Sequence, residues 1–519
     1  MPRRGLHKRS PRPIRFFMTK HNGASSAIPS SSPPLPRRTQ AARSGTADFT
    51  PWPAESRLPI RAKLAWALGS LGDNYSMNTL NTLKDAVYTV ALGVSADRLG
   101  WALFFPRFID AFIDPMVGYW SDNAKSRHGR RRPFVLFSAV PLALLSFLIW
   151  VPPRSLGQDG LFWYFLITSF LFYAAYSFFI VPYRALGLEL STDYNDRTRV
   201  QAWGMIVGLL GGLGIPWLYK LTLIFGGAHP GDTHISPDVI LQGVRWVGLG
   251  TAVLVLVSCM APALICRENA VAEPPQPLSL LGAIRETARN RPFRHMLAMN
   301  FFAILATVSV GAVGFILTIN YLFNGDQGAA ATLGGWAGMS LMAGAFIGVP
   351  FNTWVSTRVG KRHAAFVCIA TSSVAFVTMI WSMHPAYANW MIGSNFILGF
   401  GLQGVWLMTA TMNADVCDED EIRTGRRREG LYGAVFALEQ KVAFAVAAVI
   451  GGYLLSHSGY VAQTTPPAEV LSRLKLVYIA FPIAGLACAA LSIVGYSLTR
   501  DRMAAIRAEL DARHAATKA

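Results

Sequence analysis

Apolar stretches recur along the chain, separated by short polar breaks. They fall near residues 60–92, 99–122, 133–152, 160–189, 198–225, 240–266, 293–324, 330–356, 363–383, 387–414, 430–457 and 472–499. A helix rises 1.5 Å per residue, so about 20 apolar residues cross a hydrocarbon layer of ~30 Å. The pattern predicts an all-α membrane protein of twelve spanning helices, six on either side of a polar, Pro-containing connector at 267–292. The expected division is a disordered basic segment at 1–58, a first six-helix bundle at 59–266, the connector at 267–292, a second bundle at 293–499 and a tail at 500–519. The first stretch is the least apolar, with Asp73, Asn74, Asn78 and Asn81 on it.

Composition agrees with the pattern. The 519 residues are 52% hydrophobic and 15% charged, where a soluble protein carries roughly 25% charged residues. The net charge of +18 is unevenly spread: residues 1–47 hold ten Lys or Arg, and the first acid is Asp48. A Pro-, Ser- and Arg-rich leader without an apolar run reads as disordered, as a targeting peptide, or as sequence upstream of a true start at Met18. No folded basic module accompanies it, so nucleic acid is not an expected partner. The five cysteines stand singly, without ligand spacing.

The remaining basic residues set an orientation. The loops after stretches two, four, six, eight and ten, with their flanks, carry five, two, five, three and four Lys or Arg, whereas the alternate loops carry Arg98 and Arg154. By the positive-inside rule both termini are cytoplasmic. A repeat supports the six-plus-six division. Ser121-Asp122 leads to Gly129-Arg130-Arg131-Arg132 after the second stretch, and Ser356 leads to Gly360-Lys361-Arg362 after the eighth. Repeated halves around a midplane site are a transporter plan. Motifs for hydrolysis, zinc proteolysis or phosphate cradling are missing from the sequence, so an enzyme is not expected and no cofactor is required.

Polar residues inside apolar stretches carry the chemistry. Asp110 and Asp114 are four apart in the second stretch and share a helix face. Two carboxylates on one face in lipid persist only if a cavity, a cation or a proton neutralises them. The alternative is a structural bridge from Arg107 to one of them. In the eleventh stretch Glu439 and Lys441 interrupt an apolar run. Two residues apart, they do not face one another, so Lys441 is a candidate counter-charge to the Asp pair or a donor to a solute. Arg184 in the fourth stretch lies either in a cavity or at an interface, and Asp73 with Asn74 forms a fourth polar candidate. Glycines crowd the fifth and eighth stretches, for packing or for sliding.

Three motifs in order give the chain a resemblance. Asp110-Ala-Phe-Ile-Asp114-Pro115 with Gly129-Arg130-Arg131-Arg132-Pro133, then Pro182-Tyr183-Arg184 with Asp193 to Arg199, then Ala414-Asp415 through Gly430 with Lys441, are similar to the glycoside–pentoside–hexuronide:cation symporter family. The likeness covers roughly 60–500 and implies the major facilitator fold with alternating access. It implies that Asp110, Asp114 and Ser177 bind the coupling cation, Na+ or H+. It places Trp406 and Lys441 in the cavity beside Asp73, Asn74, Arg107 and Arg184 as substrate-binding candidates. Departures are present too: the family's sugar-binding acids fall on Asn74 and Ile180, its helix-4 tryptophan on Arg184, its helix-5 arginine on Trp203-Gly204-Met205, and an asparagine before the second acid on Ile113. Losing both sugar acids argues against a galactoside, and losing the asparagine oxygen weakens a sodium site.

The expectation is a monomeric symporter of a small solute, a sugar or glycoside, lipid-embedded in a bacterial inner membrane. The basic turns, Arg130 to Arg132, and the acids Asp415 and Asp418 are expected to bridge and close the inner side, or else to form solvated loops. A lysolipid symporter and a non-transporting sensor on the same fold are the alternatives. An apolar lateral cleft would favour the first, and an occluded cavity with both acids locked to Arg107 and Lys441 the second.

Overall fold

The computed structural model describes residues 58–191, 193–229, 232, 235–268 and 280–518. The basic leader and most of the connector's first half lie outside the described residues. Helices occupy every predicted stretch: α1 (Ile60–Lys84), α2 (Ala96–Asn123), α3 (Arg132–Leu148), α4 (Gln158–Glu189), α5 (Tyr194–Gly212), α6 (Pro237–Ile265), α7 (Arg291–Val308), α8 (Gln327–Val359), α9 (Lys361–Ser382), α10 (Trp390–Thr424), α11 (Glu429–His457) and α12 (Ala468–Val494). Nine helical spans among the described residues are long and apolar enough to cross a membrane by length and composition alone. Polar interior residues dilute α1 and α2, and α3 is short.

The repeat read from the turns extends to the packing. In the first half α1 packs on α5 and α6, α2 on α4, and α3 on α4 and α6. In the second half α7 packs on α11 and α12, α8 on α10, and α9 on α10 and α12. Each contact recurs six helices later. The first helix of each half also ends alike, in a widened π-helical turn, Asp85–Ala91 after α1 and Thr318–Leu322 after the short helix that continues α7. Such turns interrupt the i to i−4 ladder and re-aim the chain. Buried apolar side chains form one cluster per half, around Leu103, Phe172 and Phe179 in the first and Met299, Phe376 and Met408 in the second.

Two segments read as polar are helical. Leu280–Thr287 forms a short helix in the connector, and Arg500–Lys518 forms a terminal helix. Met503, Ile506 and Leu510 on the latter are buried against the second half, so the tail is a docked element. The helix that extends furthest past its predicted end is α10, which runs to Thr424 instead of 414. Its acidic end leaves the apolar layer but stays helical, because Lys361 and Arg428 pair with its carboxylates.

The halves meet along α2 and α11 and, on the other side, where the chain after α5 reaches α8. Bonds across the halves cluster at the face opposite the basic loops. The Gln463 amide donates to the Ala91 carbonyl at 2.8 Å, Ser456 donates to Asp97 at 3.1 Å, and Lys220 donates to the Gly328 carbonyl at 3.1 Å. Trp217 packs edge-on against Trp336.

Candidate functional site

Asp110 and Asp114 project from one face of α2 toward α4 and α11. The Lys441 ammonium lies 2.6 Å from a carboxylate oxygen of each and 3.4 Å from the Asp110 carbonyl, which uses its three donors. The Ser177 hydroxyl reaches both carboxylates, Asp114 at 2.7 Å; with one proton it donates to one at a time. The Asp110 side chain is 5% exposed, Asp114 27% and Lys441 24%. Two acids and one ammonium leave this triad a formal charge of −1. The acids and Ser177 belong to the first half and Lys441 to the second, so the bonds also tie the halves together.

Arg107 does not bridge to either acid. It donates to the Tyr173 hydroxyl at 2.6 Å, to Asn81 at 2.5 Å and to the Phe444 carbonyl at 3.3 Å. Its charge, one helical turn from Asp110, offsets the triad only at longer range. Trp406 stands beside this network, its ring stacked on Phe444 at 6.2 Å between centroids.

A second cluster forms around Asp73. The Tyr176 hydroxyl donates to one carboxylate oxygen at 2.5 Å, and the Arg184 guanidinium lies 3.6 Å from the other. The Arg184 side chain is 69% exposed, so its pair with Asp73 is open to solvent. Asn74 turns away from Asp73 and donates to the Ser70 carbonyl.

The cavity measures about 820 Å³ and lies between α1 and α5 of one half and α8 and α10 of the other. Its polar lining residues include Asp73, Asn74, Asn78, Gln201 and Gln403, interspersed with Met205, Leu209, Met342, Phe346 and similar apolar groups. Met205 and Phe346 are exposed, so the apolar wall opens between α5 and α8. Asn74 and Asn78 are four apart on α1, a helix-face signal visible in the sequence. Gln201, Gln403, Tyr173 and Tyr176 carried no such signal, since single polar groups on long helices are common.

In this arrangement the charged turns bond locally, and the expected bridge between Arg130–Arg132 and Asp415 with Asp418 is not formed. Arg130 and Arg131 pair with Glu189 at 2.6 and 2.8 Å, and Arg131 also with Asp122 at 2.7 Å. Glu268 accepts the backbone N–H groups of Arg130, Arg131 and Arg132. Asp415 pairs with Lys361 at 2.7 Å and lies 3.6 Å from Arg507, which is 3.8 Å from Asp418.

Comparison with known proteins matches residues 65–500 to the family described as MFS/sugar transport protein. The isoprimeverose transporter of Lactiplantibacillus pentosus is 24% identical over 465 residues, covering 89% of this chain and 93% of that one. The sodium-dependent lysophosphatidylcholine symporter 1-B of Danio rerio is 26% identical over 483 residues, 86% of this chain and 89% of that one. Among solved structures, a D-xylose-proton symporter superposes with a TM-score of 0.59 at 12% identity, covering 84% of this chain and 97% of the other, a likeness of fold.

Proposed function

From the premise that the chain belongs to the MFS/sugar transport protein family, we propose that it is a secondary active symporter moving a sugar or glycoside with Na+ or H+. The observation that carries this is the Lys441 ammonium, 2.6 Å from both Asp110 and Asp114 across the two halves. Lys441 occupies the place of a cation. A proton or monovalent cation at Asp110, Asp114 and Ser177 competes with it for the same oxygens. Once displaced, Lys441 no longer ties α11 to α2, which lowers the cost of rocking the halves 59–266 and 293–499 against one another. An ion shifts that equilibrium only by its differential affinity for the two arrangements. One coupled charge draws about 2.3 kcal/mol from each 100 mV of membrane potential.

With both termini cytoplasmic, the bonded outer face and the cavity beside exposed Met205 and Phe346 describe an inward-facing carrier. In this reading the solute lies against Asp73 and Asn74 in the cavity lining, with Arg184 on Asp73, and these groups meet its hydroxyls by hydrogen bonds. Arg130–Arg132, Asp415 and Asp418 then brace the inner ends of each half during rocking. Only Lys441 meets the sensor criterion; Arg107 bonds elsewhere and the cavity is open.

The apolar opening between α5 and α8 supports a second reading, a lysolipid whose chain rests on Met205, Leu209 and Phe346. The test is uptake into vesicles under an imposed Na+ or H+ gradient, with a labelled glycoside panel beside a labelled lysolipid. The expected result is glycoside accumulation driven by one gradient and lost in Asp114→Cys. Lysolipid uptake alone would establish the second reading. Movement of neither would sink both.

A further inference from the structure

Glu439 is the intramembrane acid that the site above leaves unused. It lies ten residues into α11 and Asn300 nine residues into α7, each about 15 Å along its helix, near the middle of a ~30 Å apolar layer. The Asn300 amide donates to one Glu439 oxygen at 2.8 Å. The other oxygen, Oε1, is buried without a hydrogen-bond partner. Asn300 itself is 1% exposed.

We propose that Glu439 and Asn300 form a proton-binding site in the second half, separate from the Asp110–Asp114–Lys441 triad, in which the proton sits on Glu439 Oε1 and Oε2 accepts from Asn300. An ionised carboxylate away from water needs a cation or several donors. Here one amide is available. A proton on Oε1 removes the charge and leaves Oε2 as the acceptor for Asn300. One carboxylate and one amide are too few ligands for a metal ion.

The charged groups on the packed helices are committed elsewhere. On α2, Arg107 donates to Tyr173, Asn81 and Phe444, and Asp110 and Asp114 hold Lys441. On α7, Arg291, Arg294 and His295 sit in the first two turns, and His295 bonds the Ser492 carbonyl. On α10, Asp415 holds Lys361, Asp418 faces Arg507, Glu419 accepts from Asn290 and Asp420 holds Arg428. In the connector helix, Arg285 and Glu286 lie at the basic face, Glu286 on Arg428. On α11 itself, Glu429 pairs with Arg427, and Lys441 points to α2. Glu439 as a whole is half-buried, so its proton exchanges with the medium when the pH is raised.

The inference stands whatever the transported solute. Its test is infrared difference spectroscopy on the full chain in lipid vesicles, stepped from neutral to alkaline pH. The carbonyl band of a protonated carboxyl is expected in the wild type, persisting in Asp110→Asn and Asp114→Asn and absent in Glu439→Gln. No such band in the wild type, or an unchanged band in Glu439→Gln, would overturn the proposal. If Glu439→Gln does not fold, Asn300→Ala decides: losing the amide donor must shift the band, and an unmoved band rejects the site.

Discussion

At the basic face the turn from α2 to α3 and the turn from α8 to α9 are built to one plan. Gly129 has φ +99° and Gly360 φ +84°, the left-handed region where a side chain is strained. Beyond each glycine a basic side chain reaches an acid on a neighbouring helix of its own half, Arg131 to Glu189 on α4 and Lys361 to Asp415 on α10. The helices leading into these turns differ. Aligning Pro115 of α2 with Pro350 of α8, which also aligns Ser121 with Ser356, sets Ala345 and Val349 opposite Asp110 and Asp114. One helix carries the charge site and the other lines the cavity. The matched parts are the turns with their local ion pairs; the helices leading into them differ, one carrying paired carboxylates and the other lining the cavity.

The largest test of that asymmetry is Lys441→Ala. It leaves two acids side by side between the halves without their counter-ion; breaking a fully buried pair costs about 3–5 kcal/mol, and the partial exposure of Asp114 and Lys441 puts this one at or below that range. Driven uptake is expected to fall at least ~100-fold, with a lower melting temperature that Asp114→Asn partly restores in the double variant. Equal losses in the single and double variants would show that Lys441 acts on something other than the acid pair.

An intermediate effect separates the matched turns. Alanine at either glycine is expected to cost about 1 kcal/mol from the positive φ. Gly129→Ala costs more, because its Cβ would lie 2.7 Å from the Glu268 carboxyl carbon, whereas at Gly360 the nearest atom is 3.4 Å away, on Arg500. Thermal unfolding in detergent should rank wild type, Gly360→Ala and Gly129→Ala in falling order. The reverse order would mean that the turns are not held as the bonds to Glu268 imply.

The smallest effect is expected at Arg507→Ala. Its side chain is 63% exposed and meets Asp415 and Asp418 at 3.6 and 3.8 Å. Exposed pairs contribute about 0–1 kcal/mol, so stability and uptake should hardly change. A large loss of uptake would make the terminal helix part of the moving machinery and spoil the parallel between the halves.

Much of the fold was legible because its signal is local. A run of apolar residues must be helical in lipid, where every backbone group bonds within its own segment. The signal failed where lipid ends: the charged end of α10 and the terminal helix are held by Lys361, Arg428 and a buried apolar edge that hydropathy does not register. The site was legible in part. The spacing of Asp110 and Asp114 marked them as one unit. It left both Arg107 and Lys441 as candidate partners, and it said nothing of Tyr176 beside Asp73.

The sequence by itself determined which residues must be compensated, because the cost of a charge in lipid belongs to the residue and its immediate neighbours. It determined the helices and the duplicated turns for the same reason. Only the tertiary structure decided the compensation: Lys441 from α11 for Asp110 and Asp114, Arg184 and Tyr176 for Asp73, and one amide, Asn300, for Glu439. Those partners lie on other helices, at distances set by packing rather than by spacing along the chain, and a hydrogen bond lost or made within a few tenths of an ångström selects among them.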